Sequence, residues 1–180
     1  TRGAEPLTLL TRTDAPLPAV LDNEQNPLPQ VDELIAARWP KNKDRLGRAI
    51  LALALRQGGL DLADGSTVSR ADLPKREYHH LFPDAHLTNL EFSDAEIYRS
   101  LNCALVTWQT NRNIACKEPE KYLAERLEGT PLGEAEVRQR LSSHLIPYDE
   151  MVAGDYNGFL KRRAELIQQK MLNLCQDGIA

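Results

Sequence analysis

Two stretches of this chain read as β-strands, "REYHHLFP" at residues 76–83 and "LNCALVTW" at 101–108, while most of its remaining hydrophobic pattern has helical spacing. Tyr, Leu and Phe suit a pleated, half-buried surface, and Pro83 ends the first strand because proline cannot donate to a ladder. Two strands build a hairpin, so helices must supply the rest of the core. "QVDELIAARW" and "KDRLGRAILALALRQ" precede the hairpin, and the second is apolar nearly all round between Leu46 and Leu55, which predicts a buried helix. The Gly-Gly and Asp-Gly signals of "RQGGLDLADGSTVSRADL" predict loop with short extended pieces. After the second strand, "QTNRNIA" is polar enough to open a short helix. Three stretches at helical spacing follow: "EPEKYLAERLE" with Pro119 near its first turn, "LGEAEVRQRLSS", and "YNGFLKRRAELIQQKMLNLC". The expected fold class is α+β and mostly helical, with a two-stranded hairpin and a following helix surrounded by other helices. Residues 1–30, with Pro6, Pro16, Pro18, Pro27 and Pro29, read as an irregular arm or linker before a domain at 31–180.

Composition excludes several classes. At 180 residues, 42% hydrophobic and 27% charged, the chain can bury a real core and is not expected to be disordered. The longest apolar run, Ala49 to Leu55, falls far short of the roughly 20 residues a membrane span requires, so no membrane association is expected. Three cysteines, Cys103, Cys116 and Cys175, are odd in number and lack Cys-x-x-Cys spacing, which argues against a disulfide framework and a zinc knuckle and favours a reducing cytoplasm. A formal net charge of -4 does not announce a nucleic-acid binder, yet a local basic face is enough for one. Arg38, Lys41, Lys43, Arg45 and Arg48, set against Asp44, form either a solvated helix end or a phosphate-facing flank.

Half of the four histidines stand side by side as His79 and His80. The pair reads either as part of a His-rich surface loop or as part of a site. Asn102 begins the second strand and Asn111 lies at the head of the short helix, where a side-chain amide can turn back toward the hairpin. Two imidazoles and an amide oxygen around one point suit a divalent cation and a general base. The other role for Asn111 is a helix N-cap. Strict alternation sends adjacent side chains to opposite faces, so both histidines reach one metal only if the strand bends as it meets Pro83.

"YHHLFP", then "LNCALVTWQTNRNIACKEPEKYL", and later "HLIP" and "GFLKRRAELI" together resemble the HNH nuclease domain at the C-terminus of GmrSD-type restriction proteins, a ββα-metal fold. The resemblance covers roughly residues 40–175 and rests on Tyr78, His79, His80, Leu81, Phe82, Pro83, Asn102, Thr110, Asn111, Pro119, Tyr122 and Leu123 in that order. It implies a ββα core at about 76–117 and a metal-dependent DNA endonuclease that nicks, the effector of an antiviral restriction system. His80 matches the histidine that takes a proton from the attacking water, an imidazole role. His79 stands where many HNH enzymes have Asp and matches a metal ligand, and Asn111 matches the second ligand. Asn102 matches a residue that orients the backbone around His80. One divalent ion is implied, Mn2+ or Mg2+, with softer first-row ions also suited to imidazole nitrogen.

Arg112 and Lys117 follow Asn111 closely and read either as DNA-phosphate contacts or as ordinary surface charge. His144 is expected to join two helices through a hydrogen-bonded ring, and His86 to sit in a loop. Asp84, Asp94 and Glu96 are expected in the loop between the strands, where one of them can supply a carboxylate that His79 lacks. No Walker-type loop or Gly-x-Ser-x-Gly is present. The N-terminal nucleotide-binding, modification-sensing domain of GmrSD-type proteins carries a DGQQR-like motif that this chain lacks, so that domain or subunit is expected as a separate partner. The alternatives are a DNA-binding or regulatory module that does not cut, and a helical interaction domain whose histidines are merely packed.

Overall fold

A computed structural model describes residues 24–42, 44–68, 71, 76–107, 110–111, 117–129 and 133–176. The fold is α+β and mostly helical, with one two-stranded antiparallel hairpin. Helices α1 (Val31–Ala36) and α2 (Arg45–Arg56) lead to strand β1 (Arg76–His80). Two short helices follow, α3 (Asp84–Asn89) and α4 (Asp94–Ile97), then strand β2 (Cys103–Thr107). The chain closes with α5 (Pro119–Gly129), α6 (Gly133–Ser142), α7 (Tyr148–Val152) and α8 (Tyr156–Gln176). Among the described residues no helix is long and apolar enough to cross a membrane.

The hairpin is buried on both faces, and its register explains why. Tyr78 stands opposite Leu105, His79 opposite Ala104 and His80 opposite Cys103. Ala104 and Val106 face the main core with Leu81, Phe82, Leu123 and Phe159. Cys103 and Leu105 face the other way, into a smaller cluster with Trp39 and Leu51, against which Tyr78 packs. Strand β2 therefore serves two cores, as period-2 alternation allows, while β1 adds Tyr78 to the smaller one.

Helix α2 is not buried all round. Gly47, Ile50, Leu51, Leu53 and Ala54 are inside, whereas Arg48, Ala49 and Ala52 are exposed. Alanines carry too little apolar surface to force burial, so the helix is amphipathic. Gly47 lets it approach the chain closely, since a Cβ there would lie 2.6 Å from the Arg38 carbonyl oxygen. The connection between the strands is also not a plain loop. Asp84, His86, Asp94 and Glu96, expected in loop, sit on α3 and α4. Ser93 and Glu96 form a capping box in which the Ser93 backbone N–H donates to Glu96 Oε2 at 2.8 Å. Helix α7, after Pro147, is a further element that the hydrophobic pattern does not reveal.

Residues 24–30 of the expected arm are without regular structure, and Gln168 of α8 donates to the Pro29 carbonyl at 3.1 Å. Residues 1–23 lie outside the described residues. The loop 57–68 behaves as its turn signals predict, pairing Leu60 with Thr67 across one bridge.

Candidate functional site

The hairpin's β1 ends where its two histidines begin to diverge. His79 points to the same face as Glu77, and its Nδ1 lies 2.7 Å from Asn111 Oδ1. Asn111 Nδ2 donates to Glu77 Oε2 at 2.6 Å. With the amide nitrogen so committed, Asn111 offers oxygen to the imidazole, so Nδ1 carries the proton and Nε2 keeps its lone pair. That Nε2 is buried and has no partner among the described residues. Burial lowers the pKa of His79, opposed by the hydrogen bond with Asn111 and by the charge of Asp61.

His80 turns to the other face. Its ring stacks on Trp39 with centroids 4.0 Å apart and meets Tyr98 edge-on at 4.9 Å. Its Nε2 is likewise buried without a partner among the described residues. Burial pushes its pKa down to about 4, with Asp84 opposing and His79 adding to the effect. His80 is therefore neutral at physiological pH, as a proton acceptor must be. Alternation holds, but the end of the strand gives both rings a border on one open cleft of about 510 Å3, lined by Tyr78, His79, His80, Pro83, Asp84, Ala85 and Asn111.

Asn102 holds this end of the strand in place. It is fully buried in the 3-10 turn Ser100–Asn102 just before β2. Phe82 N–H donates to its Oδ1 at 2.8 Å, and its Nδ2 donates to the carbonyls of Phe82 and Ile97 at 3.0 and 3.2 Å. The side chain thus stands in for a strand neighbour after the ladder stops, fixing the turn that follows His80. Leu81 and Phe82, both fully buried, anchor the same turn in the core.

A second device places Asn111. Asp61, fully buried in loop 57–68, accepts from Arg76 Nη1 at 2.8 Å, Thr107 N–H at 2.7 Å and the Thr110 hydroxyl at 2.6 Å. Burial pushes the Asp61 pKa up, but hydrogen bonds from Thr110, Thr107, Ala63 and Asp64 outweigh it and hold the carboxyl below its ordinary value. Asp61 therefore ties the start of β1, the end of β2 and the helical residues Thr110 and Asn111 to one point. In the sequence Asp61 looks like any solvated acid of a Gly- and Asp-rich turn. Glu77 is found only through the register, because it lies two residues before His79 on the same strand face.

The remaining expected positions are dispersed. Lys117 pairs with Glu125 at 2.6 Å and does not line the cleft. Arg112 and Cys116 lie outside the described residues. Asp84 does border the cleft and accepts from the Tyr98 hydroxyl at 2.7 Å. His86 lies 3.5 Å from Glu118 Oε1. His144 is buried in the turn after α6, where its Nε2–H donates to the Leu60 carbonyl at 2.7 Å, so it joins that turn to loop 57–68 rather than helix to helix.

Comparison with known proteins adds little to this geometry. No family model matches the chain, and no solved structure matches it. A protein of Methanocaldococcus jannaschii described as uncharacterized is 30% identical over 121 residues, covering 56% of this chain. The match spans 21% of that relative's length.

Proposed function

We propose that this chain is a metal-dependent DNA endonuclease of the ββα type, acting as the nicking effector of a restriction system beside a separate modification-sensing domain or subunit. One observation carries the reading: His79, His80 and Asn111 border a single cleft at the end of a hairpin whose geometry Asn102 pins from within the core. Each imidazole also keeps a ring nitrogen without a partner among the described residues, open to a cation, a water or substrate.

The donor set fits a divalent cation. His79 Nδ1 and Asn111 Oδ1 are 2.7 Å apart across a hydrogen bond, and a cation that displaced the Nδ1 proton would find both atoms close enough to share it, since two donors of one ion each lie roughly 2.0–2.2 Å from it. Glu77 orients the amide and adds a carboxylate beside it, and Asp84 stands on the cleft wall. His79 and Asn111 would hold the cation. When bound, it would supply positive charge to a phosphodiester in the cleft. His80, held neutral by burial and fixed by Trp39, accepts the proton of a water that attacks phosphorus as the bond from phosphorus to the 3′ oxygen breaks and that oxygen departs. Asn102 keeps His80 at the mouth of the cleft without touching substrate.

The non-cutting DNA-binding module keeps one point in its favour. Among the described residues no three His, Cys, Asp or Glu side chains assemble as a cation site. Supercoiled plasmid incubated with the protein, with and without divalent ions, separates the readings. The endonuclease gives nicked circles that disappear with EDTA, and nicked circles precede linear DNA because one site cuts one strand per encounter. A mobility shift without cutting in any divalent ion would favour the module, and no effect on either would sink both.

A further inference from the structure

The cations of this chain are unevenly neutralised. Lys117, Lys121, Arg138, Arg140 and Arg162 each pair with a carboxylate within 4.0 Å. Arg38, Lys41, Arg45, Arg48 and Arg99 have no such partner among the described residues, and neither do Arg56 and, on α8, Lys161, Arg163 and Lys170. Four of the first five, Arg38, Lys41, Arg48 and Arg99, lie in the neighbourhood of Trp39, the residue whose ring lies on His80. Arg38 and Arg99 are bridge partners on neighbouring backbones. Lys41 Nζ lies 5.6 Å from the centroid of the Tyr78 ring. Arg48 stands on α2 with its Nε–H on the Pro40 carbonyl at 3.3 Å.

Three separate depressions lie in this neighbourhood. A groove of about 600 Å3 is walled by Arg38, Arg99 and Tyr98, with Asp94 also on its wall. Tyr98 leads into the cleft, because its ring touches His80 and its hydroxyl donates to Asp84. On the other side Tyr78 lines both the cleft and a groove of about 260 Å3 that holds Arg48. Bridged by Tyr98 on one side and Tyr78 on the other, the three depressions make up a furrow that passes the histidines with unpaired cations on either side. On a chain of net charge -4, such a concentration of unneutralised positive charge is suited to a polyanion.

We propose that this furrow carries the DNA: phosphates on either side of the scissile bond are held by Arg38 and Arg99 at one end and by Lys41 and Arg48 at the other. The choice of DNA as occupant rests on the endonuclease reading. Arg38, Lys41 and Arg48 are all exposed, so their loss should leave the fold intact.

The test uses the full chain and a fluorescein-labelled duplex oligonucleotide in EDTA, with binding read by anisotropy across a salt series. The combined Arg38→Gln, Lys41→Gln, Arg48→Gln variant should bind about tenfold or more weakly at ~0.1 M salt, and its log–log salt slope should fall by about 2 to 3, the value for three lost phosphate contacts. A control removing equal charge from α8, Lys161→Gln, Arg162→Gln, Lys170→Gln, should stay within roughly twofold of wild type if only contacts in the furrow count. Equal weakening by both variants, an unaffected furrow variant, or no binding by wild type at low salt would each overturn the furrow. Plasmid cutting separates this from the activity itself. Furrow-dependent binding with no cutting in any divalent ion retains the furrow and removes the endonuclease. Cutting and binding by the furrow variant at the wild-type level does the reverse.

Discussion

The two histidines are adjacent in sequence but chemically unlike, and substitutions should show it. His80 touches rings and offers a free nitrogen, so His80→Ala should abolish plasmid cutting while circular dichroism and DNA binding persist. The lost stacking on Trp39 should lower stability by only about 0.5–1.5 kcal/mol. Cutting by that variant at the wild-type rate would remove His80 as the proton acceptor. His79 is held by Asn111, whose amide is held by Glu77. A site of one imidazole nitrogen and one neutral oxygen suits manganese, cobalt or nickel better than magnesium, which prefers oxygen and keeps its waters. Cutting should therefore be faster in manganese than in magnesium at equal concentration. His79→Asp should keep part of the activity and move the preference toward magnesium, whereas His79→Ala should lose most of it. Equal rates in both ions together with an active His79→Ala would show that His79 holds no cation.

At the scale of elements, helix α8 decides more of the site's support than its position in the sequence suggests. Arg163, fully buried, donates from Nη1 to the carbonyls of Leu101 and Cys103 and from Nη2 to that of His144, so it joins α8 to the entry of β2 and to the turn after α6. Arg163→Ala strands three carbonyl oxygens in the core and should cost on the order of 3–5 kcal/mol, whereas Arg162→Ala on the exposed side should cost within about 0.5 kcal/mol. Chemical denaturation compares the two, and similar midpoints would refute the clamp. "KRRAEL" does not distinguish these arginines, because a charged pair on a helix gives no sign of which member turns inward. The longer helices and both strands were legible, since periodicity over ten or more residues, or a β-rich run before a proline, leaves few alternatives. The short helices α3, α4 and α7 have too few residues to show a period. Their signals were local instead: Pro83 and Pro147 at N-caps, and Ser93 with Glu96 in a capping box. For the site, sequence order brought out His79, His80, Asn102 and Asn111. Trp39, Asp61, Glu77 and Tyr98 join them only through register and tertiary packing, which no local spacing encodes.

Across the whole molecule, loop 57–68 links the hairpin to the helical layer through two titratable groups, and this linkage should make the fold sensitive to acid. Burial pushes the His144 pKa down to about 4, opposed by its bond to the Leu60 carbonyl, with Arg163 and Arg76 lowering it further and Asp61 raising it. The unfolded chain titrates this histidine near 6.5. Between those values the unfolded state binds the proton and the folded state does not, so stability falls as pH drops from about 6.5 to about 4 and levels off below, by roughly 3 kcal/mol at most from this group. Asp61 acts lower on the scale. Its folded pKa is depressed, so its contribution is present above its unfolded value near 3.8 and is lost as pH falls through the folded one. Urea denaturation from neutral pH to about pH 4.5 therefore isolates the histidines from Asp61. His144→Gln retains an amide donor for Leu60 but has no proton to gain, so its stability should vary less with pH across that window, even if it is lower at neutral pH. An unchanged slope in this variant would mean that His144 protonates as easily in the folded protein as in the unfolded chain, and that burial does not hold it neutral.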